Sequence, residues 1–585
     1  MVLQKVARNG IQVNTYSFNK QWRYEVSVED KWKDRPVVYL INNKSEIYIW
    51  ETNNATNRFW QHLDNPARKW LKWVNIIFDD TFNKSAILDI EQSLIQYFNA
   101  DNKFIIQNLN SWQSSKHNYY QREKYINKLE DIRGCLKSLK LAYQDFYTLK
   151  NSSLFKYSPY IALTQEQYDV SCKIIKDIME NVDKWDEQEY GASIISWWAG
   201  TWKTILAINI IFNILNASRL EIDVAEDSEW FSEEQAVLHE LKNFLNRRKK
   251  PLKIAFVLPM EAIRKTIAKV FYLTKNWLTS KIIKKPIDIT KEKYDIVFVD
   301  EAHRLHQRKN LWWPWHFASF DKWCARLWLD KTISTELDWI TTNSKYQVIF
   351  YDKNQTIRWS DISYDQFVKS FKNKTKKYEL QNQIRCLWWN SYMEYIKHIF
   401  DGNQKIKQEI NNYDLKLFDE YQLKDMIKQI NDKNLQHKLC RVVAWFSWER
   451  KTKNKTPEEI KSQWLYDIWI EWLKLVRNLY GKEYILRDSS INEIWCVHTT
   501  QWFDLNYVWI IFGREIDYNR NTWMIEVDLS KFCDTNAKKA TDKNIVKQYI
   551  INAYKVMMTR WIKWCYVYAC NKWLRDYLSE FMSKA

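Results

Sequence analysis

The chain has 585 residues, 89 Lys plus Arg against 71 Asp plus Glu, and a formal net charge of +18. At roughly 100–200 residues per domain this length predicts several domains, each with its own core. A mean hydropathy of −0.56 excludes a membrane protein, a charged share of 27% argues against global disorder, and the basic excess fits a polyanionic partner.

In chain order, PVVYLI and EIYIW are short β-branched and aromatic runs separated by Asn42-Asn43-Lys44-Ser45, a hairpin signal. Residues 86–98 place Ile87, Ile90, Leu94, Ile95 and Phe98 on one helical face. Residues 113–156 are polar, basic and helix-prone, and read as a connector. From about 160 onward apolar runs alternate with amphipathic segments. KIAFVL, YDIVFVD, YQVIFYD, LCRVVAWF, YVWIIF and CYVYAC are the expected strands. That alternation predicts parallel sheets covered by helices. Nine scattered cysteines without a C-x-x-C pair argue against a disulfide framework or zinc site. The segment after Met1 lacks the apolar core of a signal peptide, so a reducing cytoplasm is the expected compartment.

Two counts are abnormal: 34 Trp and 7 Gly. Together they amount to about 7% of the chain, the ordinary glycine share. A gene that uses UGA for glycine, translated with UGA as tryptophan, would give this composition. The decisive question is whether tryptophans stand where glycine is physically required.

Residues 193–208, SIISWWAGTWKTILAI, pose it directly. A phosphate-binding loop needs G-x-x-x-x-G-K-[ST] between a strand and a helix. Trp197 and Trp202 occupy its two glycine positions, with Trp198, Ala199, Gly200 and Thr201 between them and Lys203 and Thr204 after. An indole there fills the space that backbone amides need around phosphates. With glycine at 197, 198 and 202 the loop is intact. Lys203 then meets the β/γ-phosphates of ATP, and the Thr204 hydroxyl binds Mg²⁺. Downstream, YDIVFVDEAHRL ends an apolar strand at Asp300, a Mg²⁺-holding carboxylate, and Glu301, which can orient the attacking water.

With these two motifs in order, the region 160–585 resembles a superfamily 1-type helicase/ATPase, and more closely the Schlafen group 3-like DNA/RNA helicase domain family. The resemblance implies further roles. LTQEQ (163–167) resembles the adenine-contacting Q-motif, with Gln167 as the contact. YQVIFYDKNQTIR resembles motif III, with Gln355 sensing the γ-phosphate. LQNQIRC resembles motif IV, giving Arg385 as an arginine finger. RVVAWFSWE matches a segment typical of the family, with Trp445 at a glycine and Trp448 kept as tryptophan. VHTTQWFDLNYVWIIFG resembles motif V, giving Gln501, Trp502 at a glycine, and Asp504. AYKVMMTRWIKW resembles motif VI, giving Arg560 as the second finger.

The N-terminal segment PVVYLINNKSEIYIWETNNATNRFWQHL resembles the GIY-YIG nuclease family over about 36–112. Tyr39 ends the first motif, which reads VVY rather than GIY. Tyr48-Ile49-Trp50 is the second, with Trp50 at the glycine. Arg58 follows, with His62 one helical turn on and Glu91 on the later helix; Asn108 or Asn110 would be the terminal Asn. The resemblance implies Tyr39 and Tyr48 as deprotonating groups, Arg58 as phosphoryl stabiliser and Glu91 as Mg²⁺ ligand. Read from residue types alone, both tyrosines could equally be core residues of strands.

The expected architecture is α/β: a small GIY-YIG-like domain (1–112), a helical connector (113–158), and two RecA-like parallel-sheet P-loop domains (159–380 and 381–585). The expected activity is that of an ATP-dependent nucleic-acid helicase or translocase joined to a Mg²⁺-dependent nuclease, in defence or repair. DNA or RNA is the partner. Two alternatives stay open: an ATP-switched nuclease without unwinding, and a basic nucleic-acid-binding scaffold if the tryptophans are real. Polarity and oligomeric state are open.

Overall fold

A computed structural model describes the chain except residues 1, 21–31, 33–34, 108–119, 145, 151, 162, 185–190, 198–202, 218–232, 275–277, 310, 312–313, 353–359, 372–374, 381–388, 403–414, 438, 453–454, 471–472, 478–487, 497–504, 535–541 and 560. The chain forms two compact units. One comprises Met1–Glu187, Lys203–Ile254 and Arg264–Ile283; the other comprises Gln188–Trp202, Ala255–Ile263 and Lys284–Ala585.

The first unit opens with a six-stranded sheet in the order β1-β2-β5-β3-β4-β6. Its strands are β1 (Gln4–Arg8), β2 (Ile11–Ser17), β3 (Val37–Asn42), β4 (Glu46–Thr52), β5 (Trp73–Phe78) and β6 (Ile105–Ile106). The expected hairpin is β3–β4, antiparallel, with Tyr39 paired to Trp50. Its turn is held by Asn43, whose Oδ1 accepts from the Ser45 amide at 2.8 Å and the Glu46 amide at 2.7 Å. Every residue of β3 is buried, so both faces of the sheet are covered. Helix α1 (Ala55–Asp64) precedes β5, and α2 (Lys84–Asp101) follows it. The predicted face of α2 (Ile87, Ile90, Leu94, Ile95, Phe98) is buried, and the Asn83 side chain caps its start.

Residues Arg122–Ser138 form helix α3, inside the first unit. The hairpin β1–β2 was not among the expected strands. Its signal is Asn9-Gly10, both with positive φ (48° and 88°), the two-residue turn whose twist matches antiparallel strands. The unit also carries α4 (Gln165–Asn181), α5 (Lys203–Asn216) and α6 (Glu233–Arg247).

The second unit holds two large sheets. The first has the order β12-β7-β11-β10-β8-β9. These are β7 (Gly191–Trp197), β8 (Ile254–Val257), β9 (Ile283–Lys284), β10 (Tyr294–Val299), β11 (Ser344–Tyr351) and β12 (Thr375–Leu380). The pairs β12–β7, β7–β11 and β11–β10 are all parallel. The second sheet has the order β15-β16-β17-β14-β18-β21-β13-β22. It comprises β13 (Leu415–Phe418), β14 (Cys440–Ala444), β15 (Ile468–Ile470), β16 (Leu473–Arg477), β17 (Glu493–Trp495), β18 (Leu505–Phe512), β21 (Trp561–Ala569) and β22 (Ser583–Lys584). Only β15–β16 is antiparallel among its pairs. A separate hairpin joins β19 (Ile516–Asn519) to β20 (Met524–Val527). All six strands expected from the apolar runs are present, and both main sheets follow the parallel pattern.

Three tryptophans adopt left-handed backbone: Trp328 (φ 57°), Trp464 (φ 49°) and Trp523 (φ 57°). The first two end helices. After α7 (Pro314–Arg326), the Trp328 amide donates to the Ala325 carbonyl and the Leu329 amide to the Cys324 carbonyl. After α8 (Pro457–Ser462), Trp464 donates to Lys461 and Leu465 to Ile460 in the same pattern. Each is a complete Schellman closure, whose left-handed residue is usually glycine. Trp523 sits at the end of the β19–β20 turn, donating to the Asn519 carbonyl at 2.8 Å. All three indoles stand in solvent, at 95%, 77% and 63% exposure. Trp445 differs: it is buried, with Phe532 stacked at 6.3 Å, in the core on one face of the second sheet.

Candidate functional site

In the N-terminal sheet, strand alternation puts Tyr39 of β3 and Tyr48 and Trp50 of β4 on one face. Helix α1 lays Phe59 and His62 against that face. The Tyr39 ring meets Phe59 edge-on at 4.8 Å, and His62 meets Tyr48 edge-on at 5.1 Å. Tyr39 Oη and His62 Nε2 are 2.5 Å apart. Arg68 contacts His62 Nδ1, and its guanidinium lies 3.9 Å over the Tyr48 ring. A guanidinium can only donate, so Nδ1 must accept. A neutral imidazole then carries its proton on Nε2 and donates to Tyr39, leaving the phenol's own proton free to point elsewhere.

His62 is held neutral. Burial first, then Arg68 and Arg58, lower its pKa to about 2. Burial pushes the Tyr39 phenol well up; the charges of Tyr48, Arg58, Arg68 and Glu91 all reach it as well. The four residues named from the sequence therefore share one electrostatic neighbourhood. Tyr39 is a neutral hydrogen-bond donor there rather than a standing phenolate. Arg58 is half-buried, 5.7 Å over the Trp50 ring.

Glu91 lies on α2, 4% exposed, and its Oε2 has no hydrogen-bond partner among the described residues. Burial first, then the nearby Glu51 carboxylate, raises its pKa, against Lys84. The Lys84 ammonium grips Glu51 at 2.6 and 2.5 Å. A buried carboxylate oxygen without a partner is costly unless a cation or proton meets it. That fits the oxygen chemistry of a Mg²⁺ ligand. Arg68, Glu51 and Lys84 were missed in the sequence, since nothing in their spacing marks them. Asn108 and Asn110 lie outside the described residues.

In the second unit, β7 runs up to Trp197, whose backbone pairs with Leu380. Residues 198–202, which include Trp198, Ala199, Gly200, Thr201 and Trp202, lie outside the described residues. Helix α5 then begins at Lys203, buried, with Thr204 half-buried. The helix is buried nearly all round, Asn209, Asn213 and Asn216 included, which suits an interior helix. Gln167 is 1% exposed and takes part in a capping box: its Oε1 accepts from the Thr164 amide at 3.0 Å, and its own amide donates to Thr164 Oγ1 at 3.3 Å. The Thr-x-x-Gln spacing was a visible signal for that cap.

Asp300 directly follows β10, fully buried, and its Oδ1 accepts from the Glu301 amide at 2.9 Å. Glu301 is left-handed (φ 53°, ψ 45°), a conformation that costs roughly 1–2 kcal/mol in a non-glycine residue. Its Oε2 lies 3.0 Å from His303 Nε2. The next residue, Arg304, forms a buried ion pair with Asp361 at 2.8 Å. Backbone bonds from Gln307 to Ser360 and from Ile362 to Leu305, each 2.9 Å, tie the two segments together. Residues 360–362 thus meet the stretch that follows Asp300 and Glu301. Neither Arg304 nor Asp361 was singled out from the sequence. Gln355, Arg385, Gln501, Trp502, Asp504 and Arg560 lie outside the described residues.

The family model of the Schlafen group 3, DNA/RNA helicase domain, matches residues 192–571. The chain belongs to that family. An uncharacterised protein of Saccharomyces cerevisiae, YPL245W, is 24% identical over 459 residues, covering 72% of this chain and 90% of its own length. Among solved structures, one on DNA unwinding at forked double-stranded DNA by two coordinating Pif1 helicases is 8% identical, with a TM-score of 0.23. It covers 71% of this chain and 94% of that one, a superposition too loose to bear on the geometry. In this Schlafen group 3 helicase, Lys203, Thr204, Asp300 and Glu301 fall inside the matched span. Tyr39, Tyr48, Arg58, His62 and Glu91 precede it. Among the described residues no helix is long and apolar enough to cross a membrane.

Proposed function

We propose that this Schlafen group 3 helicase couples ATP hydrolysis to movement along a nucleic-acid strand, and that its N-terminal module is a Mg²⁺-dependent endonuclease of GIY-YIG type, the pair serving defence or repair. The observation that carries the motor half is sheet order. β7, which ends at Trp197, and β10, which Asp300 follows, are parallel strands separated only by β11. Parallel strands deliver their following loops to one edge, where α/β folds bind ligands. The donor set fits a magnesium nucleotide: an ammonium for phosphate, and a hydroxyl and a carboxylate as hard oxygen ligands.

ATP supplies the phosphoanhydride whose hydrolysis drives the motion. Lys203 neutralises phosphate charge, Thr204 and Asp300 hold the Mg²⁺, and Glu301 orients the attacking water. Gln167 contacts the base, Gln355 and Gln501 report on the phosphates, and Arg385 and Arg560 offset charge at the γ-phosphoryl. Two RecA-like domains, 159–380 and 381–585, close on the nucleotide and reopen.

This reading takes Trp197, Trp198, Trp202 and Trp502 as glycines. It is supported away from the site by Trp328, Trp464 and Trp523, which sit where a Cβ is disfavoured and bury nothing. Mass spectrometry of the peptide spanning 197–203, from protein made in its own host, tests it. Indoles in that peptide would leave only nucleic-acid binding.

For the nuclease half, Tyr39 donates its free proton toward a water or phosphate oxygen, Tyr48 assists, Arg58 steadies the phosphoryl charge, and Glu91 holds one Mg²⁺. The test is cleavage of labelled DNA and RNA with and without Mg²⁺. Cutting that persists in EDTA would reject it.

A further inference from the structure

The N-terminal sheet has a second polar feature, on the face opposite Tyr39. Three adjacent strands, β2, β5 and β3, carry Thr15, Asn75 and Asn42, all buried. Thr15 Oγ1 donates to Asn75 Oδ1 at 2.8 Å, and Asn75 Nδ2 donates to Asn42 Oδ1 at 2.8 Å. The same face otherwise presents Val13, Val38, Leu40 and Ile77, fully buried. The ladder's mutual hydrogen bonds offset the cost of burying these groups in an otherwise apolar face.

The ladder opens onto a cavity of about 490 Å³, within the size range of small-molecule sites. Lys44, Lys103 and Lys140 line it, and among the described residues no carboxylate does. Lys103 is half-buried; its ammonium bonds the Lys140 carbonyl and lies 4.2 Å over the Tyr143 ring. Burial lowers its pKa, against the raising effect of the Asp101 carboxylate. After the bonds above, and one from Asn42 Nδ2 to the Asn43 carbonyl at 3.0 Å, Asn42 keeps one N–H, and the amide oxygens of Asn42 and Asn75 each keep a lone pair. A donor beside acceptors is the complement of a nucleobase edge; three lysines are the complement of a phosphate.

We infer that this cavity binds a nucleoside monophosphate unit, its phosphate among Lys44, Lys103 and Lys140 and its base edge on the Asn42–Asn75 amides. The site is separate from the motor and cleavage residues and does not depend on either assignment.

The experiment uses the full chain carrying Lys203→Ala, which removes the lysine assigned to the motor nucleotide site. AMP, GMP, CMP and UMP are titrated by calorimetry, with inorganic phosphate alongside. The expected result is saturable binding of at least one nucleotide, tighter than phosphate, and weakened about tenfold or more by Lys44→Ala with Lys103→Ala. Lys5→Ala, outside the cavity, should leave it unchanged. In the parent chain the bound nucleotide should shield Lys103 from an amine-reactive label read by mass spectrometry. Absence of saturable binding, phosphate binding as tightly as every nucleotide, insensitivity to the double substitution, or unchanged labelling of Lys103 would each overturn the inference.

Discussion

The N-terminal module and the parallel sheet of β7 and β10 hold their chemistry in different ways. In the module, Tyr39, Tyr48, Arg58 and Glu91 stand on strands and helices, and their side chains converge because period-2 and period-3.6 faces converge. In the parallel sheet the candidate residues hang at a strand end: Asp300 and Glu301 lie just past β10. A strand interior accommodates an indole: Trp50 pairs with Tyr39 in extended backbone and stacks on Tyr48 at 5.9 Å. A phosphate loop does not, because there the backbone itself is the ligand. An indole is therefore compatible with a strand of the module's sheet and incompatible with a phosphate-binding loop.

The sharpest way to break the comparison is to separate the two activities. With glycine at 197, 198 and 202, Lys203→Ala should lower ATP turnover by at least about 10³-fold, because no other group replaces its charge at the phosphates. Strand cutting at saturating Mg²⁺ should persist. Unchanged ATP turnover would remove Lys203 from the site. Conversely, Glu91→Gln keeps the shape of α2 and removes the anionic ligand. Cleavage should fall by roughly 10³-fold while ATP turnover stays within twofold of the parent. Continued Mg²⁺-dependent cutting would reject Glu91 as the ligand.

The contrast also explains how much the sequence disclosed. Strands read from apolar runs, such as YDIVFVD and YQVIFYD, appear as β10 and β11, because burial on both faces leaves an unbroken apolar signature. The helix at 86–98 appears because its stripe is regular. Asn9-Gly10 was as legible and was passed over. The Arg304–Asp361 pair was not legible: its partners are 57 positions apart and meet only because β10 and β11 are neighbours. The same holds for Arg68 on His62, where a short turn rather than a repeat brings the charge in. Gln167 shows the opposite case, a residue with a plain local signal as a cap that was read only through its resemblance to a nucleotide contact.

Backbone demand gives a third, smaller contrast. Trp328→Gly, Trp464→Gly and Trp523→Gly should each raise stability by about 1 kcal/mol, since the left-handed strain goes and no burial is lost. Because the sites are far apart in the chain and share no contact, the triple variant should gain roughly 3 kcal/mol. Trp32 is the control: it is 1% exposed, its Nε1 donates to Tyr16 at 3.2 Å, and it meets Phe59 edge-on at 6.3 Å. Trp32→Gly should cost roughly 3 kcal/mol or more. Chemical denaturation midpoints decide it; equal losses at all four positions would refute the glycine assignment.

The finest test lies in the module's pH response, where two buried groups pull in opposite directions. His62 has its folded pKa lowered to about 2, below an unfolded value near 6.5. Below pH 6.5 the unfolded chain takes up a proton that the folded site refuses, so stability falls as pH falls. Glu91 has its folded pKa raised above 4.5. Its contribution is favourable below that value and is lost as pH rises through the folded pKa, so acid relieves it. In the parent chain the two partly cancel between pH 4.5 and 6.5. Glu91→Gln removes one side of the balance, and the module should then lose up to about 1.4 kcal/mol per pH unit below 6.5. Adding His62→Gln should flatten the profile. A Glu91→Gln variant whose unfolding midpoint does not change between pH 7 and 5 would mean that His62 is not held neutral by burial, Arg68 and Arg58. The tautomer that aims the Tyr39 proton outward would then have no support.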